Sequence, residues 1–339
     1  MDQFNVYKDM KARTNGEIYI GVVGPVRTGK STFIKRFMNL MVLPNIEDEN
    51  DRNRANDELP QSSSGKTIMT TEPKFVPNEA VSIKTEEGIE LNVRLIDCVG
   101  YMVEGATGHM EGEEERLVKT PWFDYEIPFT KAAAIGTKKV ITEHSTIGVV
   151  VTCDGSFGEI AAKQYEPAEE ETIKQLKALK KPFVVLLNTI HPYSESTKQL
   201  AAEKEEKYQT KVLPMNLEQM KKEDIYEIIK SVLMEFPISS IGFYVPRWTE
   251  MLKKDHPLKM ELLQMARDVI TEKTTMRDIY EEQEKEYEYI TGQKLESVAM
   301  DSGEVVITVK VGDVYYYEFL SETTGMEIRN EYEFIKIMG

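Results

Sequence analysis

Residues 24–31 read Gly24-Pro25-Val26-Arg27-Thr28-Gly29-Lys30-Ser31, a complete G-x-x-x-x-G-K-[ST] phosphate loop, and the neighbouring residues decide its meaning. Ahead of it, Ile18-Tyr19-Ile20-Gly21-Val22-Val23 has the unbroken apolar run of a buried strand. Behind it, Thr32-Phe33-Ile34-Lys35-Arg36-Phe37-Met38 puts Phe33, Phe37 and Met38 on one helical face. Strand, loop and helix in this order predict the first unit of a doubly wound α/β fold, with a nucleotide phosphate seated at the helix N-terminus. Gly24 and Gly29 let backbone N–H groups turn inward, Lys30 is placed to reach the β- and γ-phosphates, and the Ser31 hydroxyl is placed to ligate Mg²⁺. Pro25, Val26, Thr28 and Thr32 complete the candidate cradle. Arg27 reads two ways, as an arginine finger supplied in cis or as an exposed loop residue.

Outward from the loop, apolar strands alternate with helical patterns from residue 17 to about 235. The expected strands are Glu17 to Val23, Ala80 to Lys84, Leu91 to Asp97, Thr146 to Thr152, Pro182 to Leu187 and Lys211 to Leu213. The expected helices are Lys30 to Met41, Pro167 to Leu179, Ser194 to Lys207 and Leu217 to Met234. Two long segments, 43–73 and 99–130, read as irregular, and loops of that length in a compact domain are functional or disordered. Past residue 235 the pattern changes to a smaller α+β domain. Leu258, Leu262, Leu263, Ala266, Val269 and Ile270 predict a core-facing helix. Val305 to Val311 and Val314 to Leu320, around Gly312-Asp313, predict a β-hairpin. The Tyr- and Glu-rich run 280–289 reads as a solvated helix face. The expected fold class is a P-loop NTPase domain of GTPase-like type over residues 1–237, followed by an α+β domain over 238–339 with no catalytic signal, expected to be an assembly or interaction module.

A phosphate loop needs an acidic partner at the end of a neighbouring strand. Val93-Arg94-Leu95-Ile96-Asp97-Cys98-Val99-Gly100 supplies it as D-x-x-G, with Asp97 on the metal side and the Gly100 N–H toward the γ-phosphate. Thr70 and Thr71 stand where a GTPase-like protein keeps the threonine that senses γ-phosphate and metal, Thr71 being also a candidate metal ligand; ordinary strand-forming threonines are the competing reading. Ser64-Gly65-Lys66-Thr67 mimics a second phosphate loop but has Pro60 in place of its first glycine and no strand before it. At Asn188-Thr189-Ile190-His191 a guanine reader would have Asn-Lys-x-Asp. Asn188 remains a candidate binding residue, but the missing carboxylate leaves guanine's N1 and N2 donors without an acceptor, which favours adenine. Tyr101 occupies the place of a water-orienting Gln, so turnover is expected to be slow.

Composition narrows the function classes. The chain has 339 residues, 41% hydrophobic and 29% charged, the profile of a globular protein. Its 42 basic and 58 acidic residues give a net charge of −16, which disfavours nucleic acid as a partner and attraction to anionic lipid. Cys98 and Cys153 read as buried small hydrophobes, not a disulfide framework. The N-terminus shows no signal-peptide pattern and no stretch is long enough to span a membrane, so a cytoplasmic location is expected.

These motifs together closely resemble the stage IV sporulation protein A family of endospore-forming bacteria, a GTPase-derived branch of P-loop ATPases. The resemblance rests on residues 24–31, Thr70-Thr71, Leu95 to Gly100 and the degenerate Asn188 to His191, and covers the whole chain. It implies ATP and Mg²⁺ as ligands, with Lys30 binding nucleotide, Asp97 holding the metal, and Thr70 and Thr71 sensing hydrolysis. It further implies hydrolysis-driven self-assembly into the basement layer of the spore coat, on the mother-cell face of the forespore outer membrane. A small amphipathic membrane-associated peptide and coat proteins are the implied partners, chiefly through a C-terminal region of which Ile337-Met338-Gly339 shows no sign. Two other classes stay open on the residues alone: a regulatory nucleotide switch that never polymerises, and a small-molecule kinase.

Overall fold

The structure, a computed structural model, describes residues 5–60, 72–84, 89–111, 114–157, 160–280 and 285–338. The chain divides into two compact units, Met1–Phe236 and Pro237–Gly339.

The first unit is built on strands β1 (Glu17–Val23), β2 (Lys74–Lys84), β3 (Glu90–Asp97), β4 (Ile147–Cys153), β5 (Phe183–Asn188) and β6 (Val212–Met215). Across the sheet they run β6-β5-β4-β1-β3-β2, parallel throughout except for the antiparallel β2 at the edge. Every residue of β4 and β5 is buried, as both-face coverage of a parallel sheet requires. The helices are α1 (Val6–Arg13), α2 (Lys30–Phe37), α3 (Glu49–Asp57), α4 (Phe129–Lys139), α5 (Ala162–Ala178), α6 (Glu195–Tyr208) and α7 (Lys222–Met234). Val23, Val150, Val185 and Val212 of four adjacent strands form one cluster with Ile173 and Leu176 of α5 and Tyr208 of α6. On α2, Phe33 and Phe37 are buried with their rings 5.8 Å apart, which pins the helix that follows the phosphate loop.

All six expected strands form, with β2 starting earlier, at Lys74, and breaking register between Val76 and Val81. The expected helix from Lys30 to Met41 ends at Phe37 and continues as a π-helical turn, Met38–Val42, that buries Met38, Met41 and Val42. Neither long segment is wholly irregular. The first contains α3, whose Asp48 cap accepts from Asn50 N and Asp51 N, and which buries only Ala55, so no apolar period announces it. The second contains a short antiparallel pair, Leu117–Thr120 with Phe123–Pro128, leading into α4. Helix α4 buries Phe129 and Thr137 together with Ala132, Ala133 and Gly136, small residues that carry little hydrophobic signal.

In the second unit, β7 (Ser240–Tyr244), β8 (Ile290–Ala299) and β9 (Glu304–Val311) form a sheet in the order β7-β9-β8, with β9 parallel to β7 and antiparallel to β8. Helix α8 (Pro257–Glu272) buries Leu258, Leu262, Met265 and Val269, whereas the expected core residues Leu263 and Ile270 are 50% and 57% exposed. The expected hairpin after β9 is instead a helix, α9 (Asp313–Thr324). Gly312 has φ −61°, not the positive φ that a tight hairpin turn demands. Tyr316 and Phe319, one helical turn apart, both set their rings 5.6 Å from Trp248, so packing overrides the strand propensity of aromatic residues. The run read as a solvated helix face is not helical at 285–289, where Tyr289 lies 4.8 Å from the Tyr315 ring. Among the described residues no helix is long and apolar enough to cross a membrane.

Candidate nucleotide-binding site

Parallel β1, β3, β4 and β5 end on one edge of the sheet, where an open α/β fold binds ligands. The phosphate loop leaves β1 there and turns back into α2. Gly24 and Gly29 take φ of +126° and +101°. A Cβ at Gly24 would stand 2.5 Å from Val151 O, and one at Gly29 would stand 2.6 Å from Asn188 Nδ2, so the loop needs glycine for space as well as for angle. The Thr28 hydroxyl donates to Pro25 O at 3.0 Å and closes the turn. Lys30 is 5% exposed, and its Nζ donates to Pro25 O at 2.5 Å and to Gly24 O at 3.4 Å.

The D-x-x-G segment lies directly against this loop. Asp97 is in register with Val22, and Ser31 Oγ donates to Asp97 Oδ2 at 2.9 Å. Gly100 has φ +92°, and a Cβ there would come within 2.1 Å of Gly24 O and 2.6 Å of Lys30 Nζ. Val26 N donates to Tyr101 O at 3.0 Å, and Pro25 bridges Tyr101 in parallel, so the main chain itself stitches the two loops together. No side-chain pattern signals that stitch.

Burial dominates the electrostatics. It lowers the Lys30 pKa below the ordinary lysine value, with Cys98 and Asp97 acting in the opposite sense. It raises the Asp97 carboxyl, against the pull of Lys30 and of the Ser31 hydrogen bond. The Cys98 thiol, also raised by burial, reaches about 11 and donates to Val22 O at 3.4 Å, so it is a packed thiol and not a nucleophile.

Asp97 Oδ1 is buried and has no hydrogen-bond partner. An orphaned carboxylate oxygen beside a serine hydroxyl is the hard-oxygen donor set that suits a divalent cation taking its other ligands from phosphate and water. Among the described residues no group of three or more His, Cys, Asp or Glu side chains forms a metal cage.

Asn188, at the end of β5, ties three elements together. Its Nδ2 donates to Thr28 O at 3.0 Å and its Oδ1 accepts from Leu217 N at 3.2 Å, just beyond β6. Replacing Asn188 with Ala strands both buried backbone groups and is expected to cost about 2 kcal/mol or more, because an unmet buried polar group carries its full desolvation penalty. Chemical denaturation of the variant measures this.

The structure thus brings Lys30, Ser31, Asp97, Gly100 and Asn188 to one place, with Thr32 in the first turn of α2. Thr70, Thr71 and the decoy at 64–67 lie outside the described residues. Arg27, at φ +61°, points its guanidinium at Thr107 Oγ1, 3.1 Å away in the second long segment. Tyr101 packs with Val26, Val103, Ala106, Cys153 and Tyr165, and burial pushes its phenol up to about 12. The residue is partly buried and packs against this cluster with its hydroxyl buried, a neutral phenol.

Residues 1–237 match the family described as stage IV sporulation protein A, ATPase domain, and residues 238–339 match its middle domain. Curated relatives named "Stage IV sporulation protein A" are 45% identical over 340 residues in Bacillus anthracis and 44% identical over 340 in Bacillus subtilis (strain 168). Each of those matches covers all of this chain and 69% of the relative. The relative of that name in Clostridioides difficile (strain 630) is 47% identical over 336 residues, covering 98% of this chain and 68% of its own length.

Proposed function

This chain belongs to the stage IV sporulation protein A family, and from that premise we propose that it hydrolyses ATP slowly with Mg²⁺ and uses the step to license its own assembly. The observation that carries the reading is the grouping of buried Lys30 with half-buried Ser31 and Asp97, in which the Asp97 Oδ1 atom is buried without a hydrogen bond. Lys30 binds the β- and γ-phosphates as a point charge. Ser31 and Asp97 hold the metal, the Gly100 N–H faces the γ-phosphate, and Asn188 keeps the loop in place. Thr70 and Thr71 sense the γ-phosphate, with Thr71 also on the metal side. Bound Mg²⁺ supplies charge neutralisation on the phosphate oxygens.

Slow turnover follows from Tyr101, which is packed away where a water-orienting side chain would stand. The Arg27–Thr107 hydrogen bond connects the phosphate loop to segment 99–130, and through it a change at the γ-phosphate reaches the surface. The product of the reaction is then a conformation, one that lets copies of the chain polymerise into the basement layer of the spore coat. That layer lies on the mother-cell face of the forespore outer membrane. A small amphipathic membrane-associated peptide and coat proteins are the expected partners besides the chain itself. The net charge of −16 keeps nucleic acid off the list.

Sedimentation of the full-length protein with ATP, with a non-hydrolysable analogue and with ADP tests the coupling. Pelleting with ATP alone is expected; equal pelleting under all three conditions removes hydrolysis from the assembly step.

A further inference from the structure

The turn after β5 carries a set of hydrogen bonds that phosphate binding does not require. Thr189 is fully buried, and its hydroxyl donates to Asp154 Oδ2 at 2.6 Å while accepting from His191 N at 3.1 Å. Asp154 follows β4, the strand next to β5, so the two residues meet across neighbouring strand ends. Its other oxygen, Oδ1, accepts from Ser156 N at 2.9 Å, and the Ser156 hydroxyl accepts from Ile190 N at 3.1 Å. Asp154 N donates in turn to Asn188 O at 3.4 Å. Three bonds therefore cross between the 154–156 loop and the 188–190 turn.

These bonds lie at the turn Asn188-Thr189-Ile190-His191, the place where a guanine reader would carry Asn-Lys-x-Asp. Guanine presents N1–H and N2–H₂ and is recognised by a carboxylate, which accepts both; adenine presents a 6-amino donor beside an N1 acceptor. His191, at the fourth position of the turn, is exposed and offers no carboxylate. Among the described residues, Asp154 is the carboxylate hydrogen-bonded to this turn, and both its oxygens are engaged. Offering it to guanine means breaking a charge-assisted bond, one of the stronger hydrogen bonds a protein makes. The same clasp fixes the residue that precedes Thr189, which is Asn188, whose side chain holds Thr28 O of the phosphate loop.

We infer that the Asp154–Thr189 clasp is the base-side specificity element of the nucleotide site. Thr189 is a positioning residue that keeps Asn188 on the phosphate loop and keeps the Asp154 carboxylate turned away from a guanine edge. The inference rests on the ATP-hydrolysing reading above and adds the group that maintains the preference for adenine.

The test uses the full chain with Thr189→Val, which keeps the shape and removes the donor, Thr189→Ser, which restores it, and Asp154→Ala. Displacement of a fluorescent ATP analogue by ATP and by GTP gives the preference ratio, and steady-state phosphate release gives KM and kcat. Thr189→Val is expected to raise the ATP Kd and KM roughly tenfold, to change kcat less than KM, and to lower the ATP-over-GTP ratio roughly tenfold, the loss set by one charge-assisted bond. Thr189→Ser is expected to recover most of that ratio. Asp154→Ala should weaken ATP without moving the ratio toward GTP, since the freed acceptor is gone. A wild-type ratio in Thr189→Val, or unchanged ATP affinity in Asp154→Ala, overturns the inference. Absence of phosphate release by the wild-type chain overturns the ATPase reading instead, and the displacement ratios still judge the clasp.

Discussion

Lys30→Ala is expected to lower ATP affinity by about a hundredfold or more while leaving the nucleotide-free protein about as stable as before. The affinity loss follows from removing the one ammonium of the phosphate loop, whose charge-assisted bonds to phosphate oxygens contribute about 1.5–3 kcal/mol each. Stability behaves differently because Lys30 is buried. Its pKa is lowered on folding, so the unfolded chain holds that proton more tightly, and below the ordinary lysine range the buried charge detracts from stability. The sign is that stability rises as pH climbs from the lowered value toward the ordinary one. Removing the side chain removes this penalty together with two bonds to loop carbonyls, and the two effects offset. Thermal unfolding measured with and without ATP separates them. The wild type should gain stability with ATP as RT ln(1 + [ATP]/Kd), and the variant should show no gain at the same concentration. An ATP-dependent shift that survives in the variant removes Lys30 from the phosphate site.

Gly100→Ala is expected to be the most damaging single methyl group in the molecule's nucleotide site. At φ +92° an alanine is strained by about 1–2 kcal/mol, and its Cβ would meet Gly24 O at 2.1 Å and Lys30 Nζ at 2.6 Å. The Lys30 ammonium, at the end of a flexible side chain, can move aside, but Gly24 O cannot yield cheaply, because it is backbone of a loop that has no room for a Cβ beside Val151 O. The D-x-x-G segment must therefore lift off the phosphate loop, breaking the Val26–Tyr101 bond and displacing Asp97 from Ser31. Phosphate release should fall below detection, with a stability loss of about 2–4 kcal/mol from strain and lost contacts together. Gly105→Ala is the control. That position has φ +84°, but its nearest neighbour is the tip of Gln164 at 3.7 Å, so it carries the angular strain without the collision. Its cost should stay at about 1–2 kcal/mol. Equal phosphate release by the two variants would show that backbone angle, and not the close approach at Gly100, sets the effect.

The parts of the fold that the sequence displayed are those in which one chemical pattern has one structural outcome. Ile147 to Cys153 and Phe183 to Asn188 are apolar without interruption, and only burial on both faces accommodates that. The glycines at 24 and 29 read as places where the main chain must turn inward, and both take positive φ. Elsewhere the signal was weak or pointed two ways. Helix α3 buries one alanine and has no apolar period to be read, whereas α4 buries Phe129 together with Ala132, Ala133, Gly136 and Thr137, an inward face in which most residues are small. Helix α9 was hidden by its tyrosines, whose strand propensity yields to the packing of Tyr316 and Phe319 on Trp248. Leu263 and Ile270 fit the helical spacing of α8 but fall on its outer side, and Met265 is an inward residue instead. In the site, the missing guanine-reading carboxylate was visible as an absence after Asn188. The clasp between Thr189 and Asp154 was not, because it joins residues 35 positions apart through a strand pairing that no local pattern encodes.

The claim that Asp97 and Ser31 hold the metal for ATP hydrolysis is tested most directly by phosphate release from ATP by the wild-type chain and by Asp97→Asn, each with Mg²⁺ and with excess chelator. The orphaned Oδ1 and the raised carboxyl predict that the wild type releases phosphate only with Mg²⁺, and that Asp97→Asn releases none while staying folded to at least the wild-type temperature. Phosphate release by Asp97→Asn at the wild-type rate, or by the wild type in chelator, would contradict the account.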